Sequence, residues 1–343
     1  MLQLIEKYEG RFKIAYSITG VAIEQFRKYY PEVLESFRQL AKTGCVEFLG
    51  ETYYHSLSYL FDEEEFLTQV AMHGELMREE FGAVPRVFRN TELVYQDRLA
   101  SILARKTNYR TILAEGADRI LNWRSPLYPY RSVEDQTLLL KYYSLSDDIA
   151  FRFSNRAWPE YPLTAEKFVD WLQKLLLIEK QRRSLFVNLF MDYETFGEHQ
   201  WEETGIFSFM QHLPGHLFRR PAISFAWPSD ARENLTYTPE ILSYPQPVSW
   251  ADTERDLSAW IDNDMQRNAI DTCYDILHQI KTNGRDDLLP IIRSLSTSDH
   301  FYYMCTKYFQ DGDVHKYFSP YDSPEQAYIL YMNVMAKLRD MAT

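Results

Sequence analysis

Acidic residues gather at four places where a short apolar run gives way to polar residues. The stretch SLFVNLFMDYETFGEH, residues 184–199, carries an uncharged run over 185–191, then Asp192, Glu194, Glu198 and His199, with Trp201 just beyond. FRNTELVY, residues 88–95, places Glu92 after a second apolar run, beside Arg89, Asn90 and Thr91. GETYYHSL, residues 50–57, offers Glu51, Tyr54 and His55, and LSTSDHFYYM, residues 295–304, offers Asp299 and His300. Two carboxyl groups at strand exits are the minimum equipment for glycoside hydrolysis. One attacks the anomeric carbon or activates water, and the other protonates the leaving oxygen. Such a pair works only if its pKa values are driven apart. A neighbouring cation such as Arg89 keeps one carboxyl ionised, and a drier pocket keeps the other protonated. Each acid taken singly also has a plainer reading, as a helix cap or a surface residue after a strand. The histidines and acids lack the HxH and HExxH spacings of a zinc site, so neither a metal nor a cofactor is expected.

These side chains need a scaffold. An apolar run such as 185–191 suits a strand buried on both faces of a parallel sheet. In α/β enzymes the chemistry sits at the carboxyl ends of such strands. Asp192 and Glu194 would share one side, because the side-chain period of a strand is two. Further strands are expected over 12–19, 45–55, 85–93, 109–116 and 148–154, with a short one over 222–226. Helices are expected over 23–44, 62–82, 95–107 and 164–181, and a loop rich in Pro, Tyr and Ser over 122–134. The opening LQLIEKYEG reads as the last turns of a helix that stops at Gly10. Alternating strands and helices imply a mostly parallel sheet with right-handed crossovers. Six or seven strands suit a barrel. From about Trp250 the pattern turns helical, over 252–283, 286–304 and 323–341. The expected fold is therefore α/β, with a barrel domain over 1–245 and a helical domain over 246–343 packed on it.

Bulk properties narrow the partners. The formal charge of −12 over 343 residues argues against a general nucleic-acid binder, which needs a basic face. Tyr, Phe and Trp make up 15% of the chain, which serves core packing or a cleft that stacks rings on sugar faces. Cys45, Cys273 and Cys305 are odd in number and form no CxxC, as expected of reduced thiols in a cytoplasmic protein. The start is not read as a signal peptide, and the longest apolar runs are too short for a membrane span.

Taken together, PRVFRNTELVY, MDYETFGEHQW, DTERDLSAWIDNDMQ and STSDHFYYM resemble glycoside hydrolase family 57, and within it the α-amylase-like members. The resemblance runs from about residue 12 to residue 335. It implies a seven-stranded (β/α) barrel followed by a helical domain. It also implies retaining chemistry on α-1,4-glucans without a metal, the partner being an α-glucan or maltooligosaccharide. Glu92 matches the family's nucleophile and Asp192 its general acid/base, with Glu115 ranked second for the nucleophile. His55 would line the donor-sugar subsite, and Asp299 and His300 match a motif bordering the cleft. Arg89 and Trp201 complete the expected substrate-binding set, Trp201 as a stacking platform. Glu194 and Glu198 are expected to support Asp192. The two catalytic carboxyl groups are expected roughly 5–5.5 Å apart. The family's His-Gln-Pro string is absent, so the expected barrel is incomplete and lacks its first strand. A 4-α-glucanotransferase, a branching enzyme, or a catalytically impaired glucan-binding protein would carry the same residues.

Overall fold

The computed structural model describes residues 1–8, 10–178, 183–307 and 319–343. Its strands are short: β1 Ile14–Tyr16, β2 Val46–Phe48, β3 Val87–Arg89, β4 Thr111–Glu115, β5 Tyr130–Arg131 and β6 Thr137–Lys141. The helices are α1 Leu2–Lys7, α2 Gly20–Tyr29, α3 Pro31–Lys42, α4 Glu63–Phe81, α5 Asp97–Lys106, α6 Asp118–Leu121, α7 Tyr143–Ala150, α8 Ala165–Ile178 and α9 Ile206–Phe218. Beyond them lie α10 Ser258–Ile261, α11 Asp264–Thr282, α12 Leu289–Leu295, α13 Ser298–Tyr302 and α14 Pro324–Ala342.

The parallel pairs β1–β2, β3–β4 and β4–β6 and the run 185–191 are joined into one arc by two single bridges. Gly50 bridges to Phe88, tying β2 to β3, and Lys141 bridges to Asn188, tying β6 to the run 185–191. A side chain at Gly50 would collide with the Tyr109 ring, so this junction requires glycine. The short β5 pairs antiparallel with β6. Among the described residues the arc does not close into a barrel. One face of it is lined by Leu49, Val87, Leu93, Leu113 and Leu139, with Phe186, Phe190 and Trp250 packed against them. The two-residue period then sends Arg89, Glu115 and Lys141 to that face too, one strand-end each. The opposite faces carry Phe88, Ile112, Ala114, Leu138 and Leu140 into the main core, where helix residues such as Leu99, Ile102 and Leu103 meet them.

The helices begin and end where local chemistry directs. Asp62 caps α4 by accepting from the Glu65 backbone, three glutamates fill the first turn, and Gly82 closes the helix at φ 63°. Asn263 and Gln266 form a reciprocal capping box on α11. The main core runs without a break from the strand residues to α11 and α14. The helical C-terminal region is therefore welded onto the strand layer.

Several expectations are corrected. The segment 148–154 is no strand: α7 occupies 143–150, because Leu145, Ile149 and Phe153 recur at a helical interval and enter one apolar cluster. The strand lies earlier, at TLLLK, where all five residues are buried. Pro31 splits the expected helix 23–44 into α2 and α3. Residues 222–226 join no sheet, although Phe225 packs edge-on to Phe12. The run 185–191 is half-buried rather than buried on both faces, and only Asn188 makes a bridge. Phe186 and Phe190 face the arc, whereas Val187, Leu189 and Met191 pack on α8 and α9. The expected helix 164–181 is seen to Ile178, and 179–181 lie outside the described residues. No helix among the described residues is long and apolar enough to cross a membrane.

Candidate active site

Glu92 sits in the turn after β3, with its backbone in the left-handed region at φ 54°. Leu93, at φ 52°, and His55, at φ 50°, share that conformation. A non-glycine residue held there costs roughly 1–3 kcal/mol, so the surroundings must impose it. They do so with hydrogen bonds. Asn90 Nδ2 donates to the Val94 carbonyl at 3.0 Å, and the hydroxyls of Thr52 and Thr91 meet at 2.9 Å. The Trp250 backbone N–H donates to the Glu92 carbonyl, and the Ser298 N–H, at the start of α13, donates to the His55 carbonyl.

The side chains form a line. Ser17 Oγ donates to Glu51 Oε1 at 2.6 Å, and Glu51 Oε2 stands 3.5 Å from His55 Nδ1. His55 Nε2 lies 2.9 Å from Glu92 Oε1, and Trp250 Nε1 donates to Glu92 Oε2 at 2.6 Å. His55 thus bridges two carboxylates. Burial alone would lower its pKa, but the hydrogen bonds to Glu51 and Glu92 and their charges raise it to about 10. The ring is therefore an imidazolium that donates from both nitrogens. For Glu92, burial pushes upward, and it is outweighed by the hydrogen bond and charge of His55, by Arg89 and by Trp250. Its pKa falls to about 2. Glu51, fully buried, is likewise held below its ordinary value: burial raises it, and His55, Arg89 and His73 outweigh that.

Asp192 stands at the exit of the run 185–191, exposed to solvent at the start of the turn Tyr193–Thr195. The surrounding protein and then the charge of Glu92 raise it to about 6, against the pull of Arg89 and His199. Glu92 and Asp192 therefore feel each other's charge. One is an ionised carboxylate at neutral pH, and the other is poised to carry a proton. This division of labour suits acid-assisted nucleophilic displacement.

The remaining expected residues are placed unevenly. Arg89 acts on both carboxyl groups electrostatically, and its guanidinium lies 4.7 Å from the Trp250 ring centroid. The backbone of α13 docks on the His55 loop, and Asp299 is exposed on its first turn. The His300 ring lies 5.4 Å from Tyr331 of α14, on the side of the helical layer. Trp201 is 60% exposed in the loop after Asp192. Glu115 is fully buried at the end of β4, and burial raises it to about 7 despite Lys141 and Arg255. Trp250 and Glu51 entered no predicted role. Glu51 was visible two residues before the tyrosine pair. No local pattern announces Trp250, 158 residues from the carboxylate that it contacts. Among the described residues no cluster of His, Cys, Asp and Glu has the geometry to hold a metal ion.

Known proteins share this architecture. Residues 1–245 match the model of Glycosyl hydrolase family 57. A "Putative alpha-amylase" of Methanocaldococcus jannaschii is 43% identical over 345 residues, covering 98% of this chain and 72% of that protein. Among solved structures, a GH57-type branching enzyme from Pyrococcus horikoshii superposes with a TM-score of 0.75 at 15% identity, covering 98% of this chain and 82% of its own. A 4-alpha-glucanotransferase from Thermococcus litoralis gives 0.66 at 17% identity over 88% of this chain, which spans about half (51%) of that enzyme's length. At such identities the structural likeness speaks for the fold, whereas the family-model match and the closely similar relative speak for kinship. The chain belongs to glycosyl hydrolase family 57.

Proposed function

We propose that this chain is a retaining, α-amylase-like enzyme acting on α-1,4-glucans, with Glu92 as nucleophile and Asp192 as general acid/base. The observation that carries this reading is the setting of Glu92, whose two oxygens take hydrogen bonds from His55 and Trp250 while its charge reaches Asp192. Asp192 donates its proton to the glycosidic oxygen while the Glu92 carboxylate bonds to the anomeric carbon. The C–O bond breaks with its electron pair on the departing oxygen, leaving a glucosyl ester on Glu92. Asp192, now ionised, takes a proton from water. The resulting hydroxide equivalent attacks the anomeric carbon and frees Glu92. Arg89 and His55 hold the nucleophile ionised, and His55, Trp201, Asp299 and His300 are read as sugar contacts. The arc of strands is read as part of a (β/α)7 barrel over 1–245, with 246–343 as its helical domain, in a cytoplasmic protein.

The sign of the pH dependence follows from the two groups. The free enzyme is competent when Glu92 is ionised, above about 2, and Asp192 is protonated, below about 6. The value of kcat/KM on a maltooligosaccharide is expected to be level between those limits. It should fall about tenfold per pH unit above the upper one. A profile that keeps rising through pH 8 would remove Asp192 from the acid role.

Hydrolysis and transfer share every step up to the glucosyl ester and differ in the acceptor. Incubation with amylose separates them. Reducing ends that grow in step with chain shortening are expected, and redistributed chain lengths without new reducing ends would make the chain a transferase.

A further inference from the structure

Trp250 reaches Glu92 from the loop before α10, and its ring lies against two cations. The Arg89 guanidinium is 4.7 Å from the ring centroid and the Lys141 ammonium 5.0 Å. Arg89 ends β3 and Lys141 ends β6, with β4 and its last residue Glu115 between them. Lys141 is only 7% exposed, and a lysine so deeply buried needs partners. Asp147 Oδ1 is one, at 3.5 Å. Glu115, directly opposite Lys141 in the parallel register, adds only the influence of its charge. Neither Glu115 oxygen accepts a hydrogen bond of ordinary geometry, and Arg255 Nε stands 3.6 Å away. Burying a carboxyl so sparsely satisfied is unfavourable. Displacement by Glu92 and Asp192 gives it no task.

The geometry points to Lys141 as a positioning residue: held by Asp147, its ammonium pins the Trp250 ring so that the indole N–H meets Glu92 Oε2. A cation on the π face holds the ring by attraction to its electron-rich surface, and it draws density from the ring, which strengthens the N–H donor. Arg89 does the same from β3, on the far side of β4. Asp147 is then the counter-charge that keeps the ammonium against the ring, with Glu115 adding a second negative charge when it is ionised. As far as the pinned donor serves catalysis, this inference rests on the reading of Glu92 as nucleophile.

The test uses the full chain labelled with ¹⁵N at tryptophan. Trp250→Phe deletes one indole resonance and so assigns it. Lys141→Met is expected to move that resonance upfield, to lower kcat about tenfold and to leave KM within about twofold. Lys141→Arg, which restores a cation, is expected to recover most of both. Asp147→Asn releases the ammonium without opening the core, and it should move the same resonance the same way by less. If the indole resonance stays in place in both Lys141→Met and Asp147→Asn, the positioning role is overturned, even if thermal stability falls. If Glu92→Gln keeps full turnover while Lys141→Met still shifts the resonance, the nucleophile assignment fails and the pin stands.

Discussion

Glu92→Gln should reduce turnover of maltooligosaccharides by about 10³-fold or more while the protein stays folded, because an amide cannot form the glucosyl ester. The substitution keeps an oxygen to accept from Trp250 and a shape that fits the turn at φ 54°. Its structural effect should be small beside its chemical one. Circular dichroism and the thermal midpoint check the first point, and initial rates check the second. Truncation to Ala with added azide sharpens the result: azide enters the vacated space and attacks the same face, giving a glucosyl azide of inverted configuration. Asp192→Asn should behave differently. Substrates whose leaving group departs without a proton, such as glucosyl fluorides, retain the first step, whereas natural glucans lose about 10²–10⁴-fold. Equal damage to both substrate classes would contradict the acid role of Asp192.

The second large effect concerns the bond between strand layer and helical region. Arg293 donates from Nε and Nη2 to the two oxygens of the buried Glu65, at 2.7 and 3.1 Å, and Lys281 joins at 3.1 Å. Removing Arg293 leaves the buried Glu65 with Lys281 as its remaining cation, so the cost should approach but not reach the roughly 3–5 kcal/mol of a fully stranded buried charge. Arg293→Met should therefore lower the thermal midpoint by on the order of 10 °C. The loss should also reach the active site. Gln69 donates to Glu65 Oε1 at 3.1 Å and accepts from Ser56 Oγ at 2.8 Å, inside the loop that carries His55. A drop in kcat measured well below the midpoint is the expected companion. A variant as stable and as active as the parent would show that this clasp neither joins the layers nor supports the loop.

Glu92 and Asp192 stand out in the sequence because each follows an apolar run within a long distinctive string. His55, expected at a sugar subsite, stands out in the same way and hydrogen-bonds to Glu92. Trp250 was not readable, since its hydrogen bond to Glu92 comes from folding a distant loop across the strand ends. The left-handed backbone at His55, Glu92 and Leu93 was equally hidden, because contacts impose it and no glycine advertises it. Among the strands, TLLLK was missed because five buried residues between loops carry no alternation. The segment 148–154 misleads because Ile149, Phe151 and Phe153 alternate as in a strand, whereas Leu145, Ile149 and Phe153 share one apolar cluster at a helical interval. The run 185–191 was found, but its burial was overstated, since it meets the arc at a single bridge.

The claim on which the rest depends is that Glu92 becomes covalently bonded to sugar. Incubation with a fluorinated glucosyl fluoride that forms the ester quickly and releases it slowly, followed by proteolysis and peptide mass spectrometry, tests it most directly. The expected result is one glucosyl adduct on the peptide that contains Glu92, absent in Glu92→Gln. An adduct on Glu115 or Asp192, or steady turnover with no adduct at all, would contradict it.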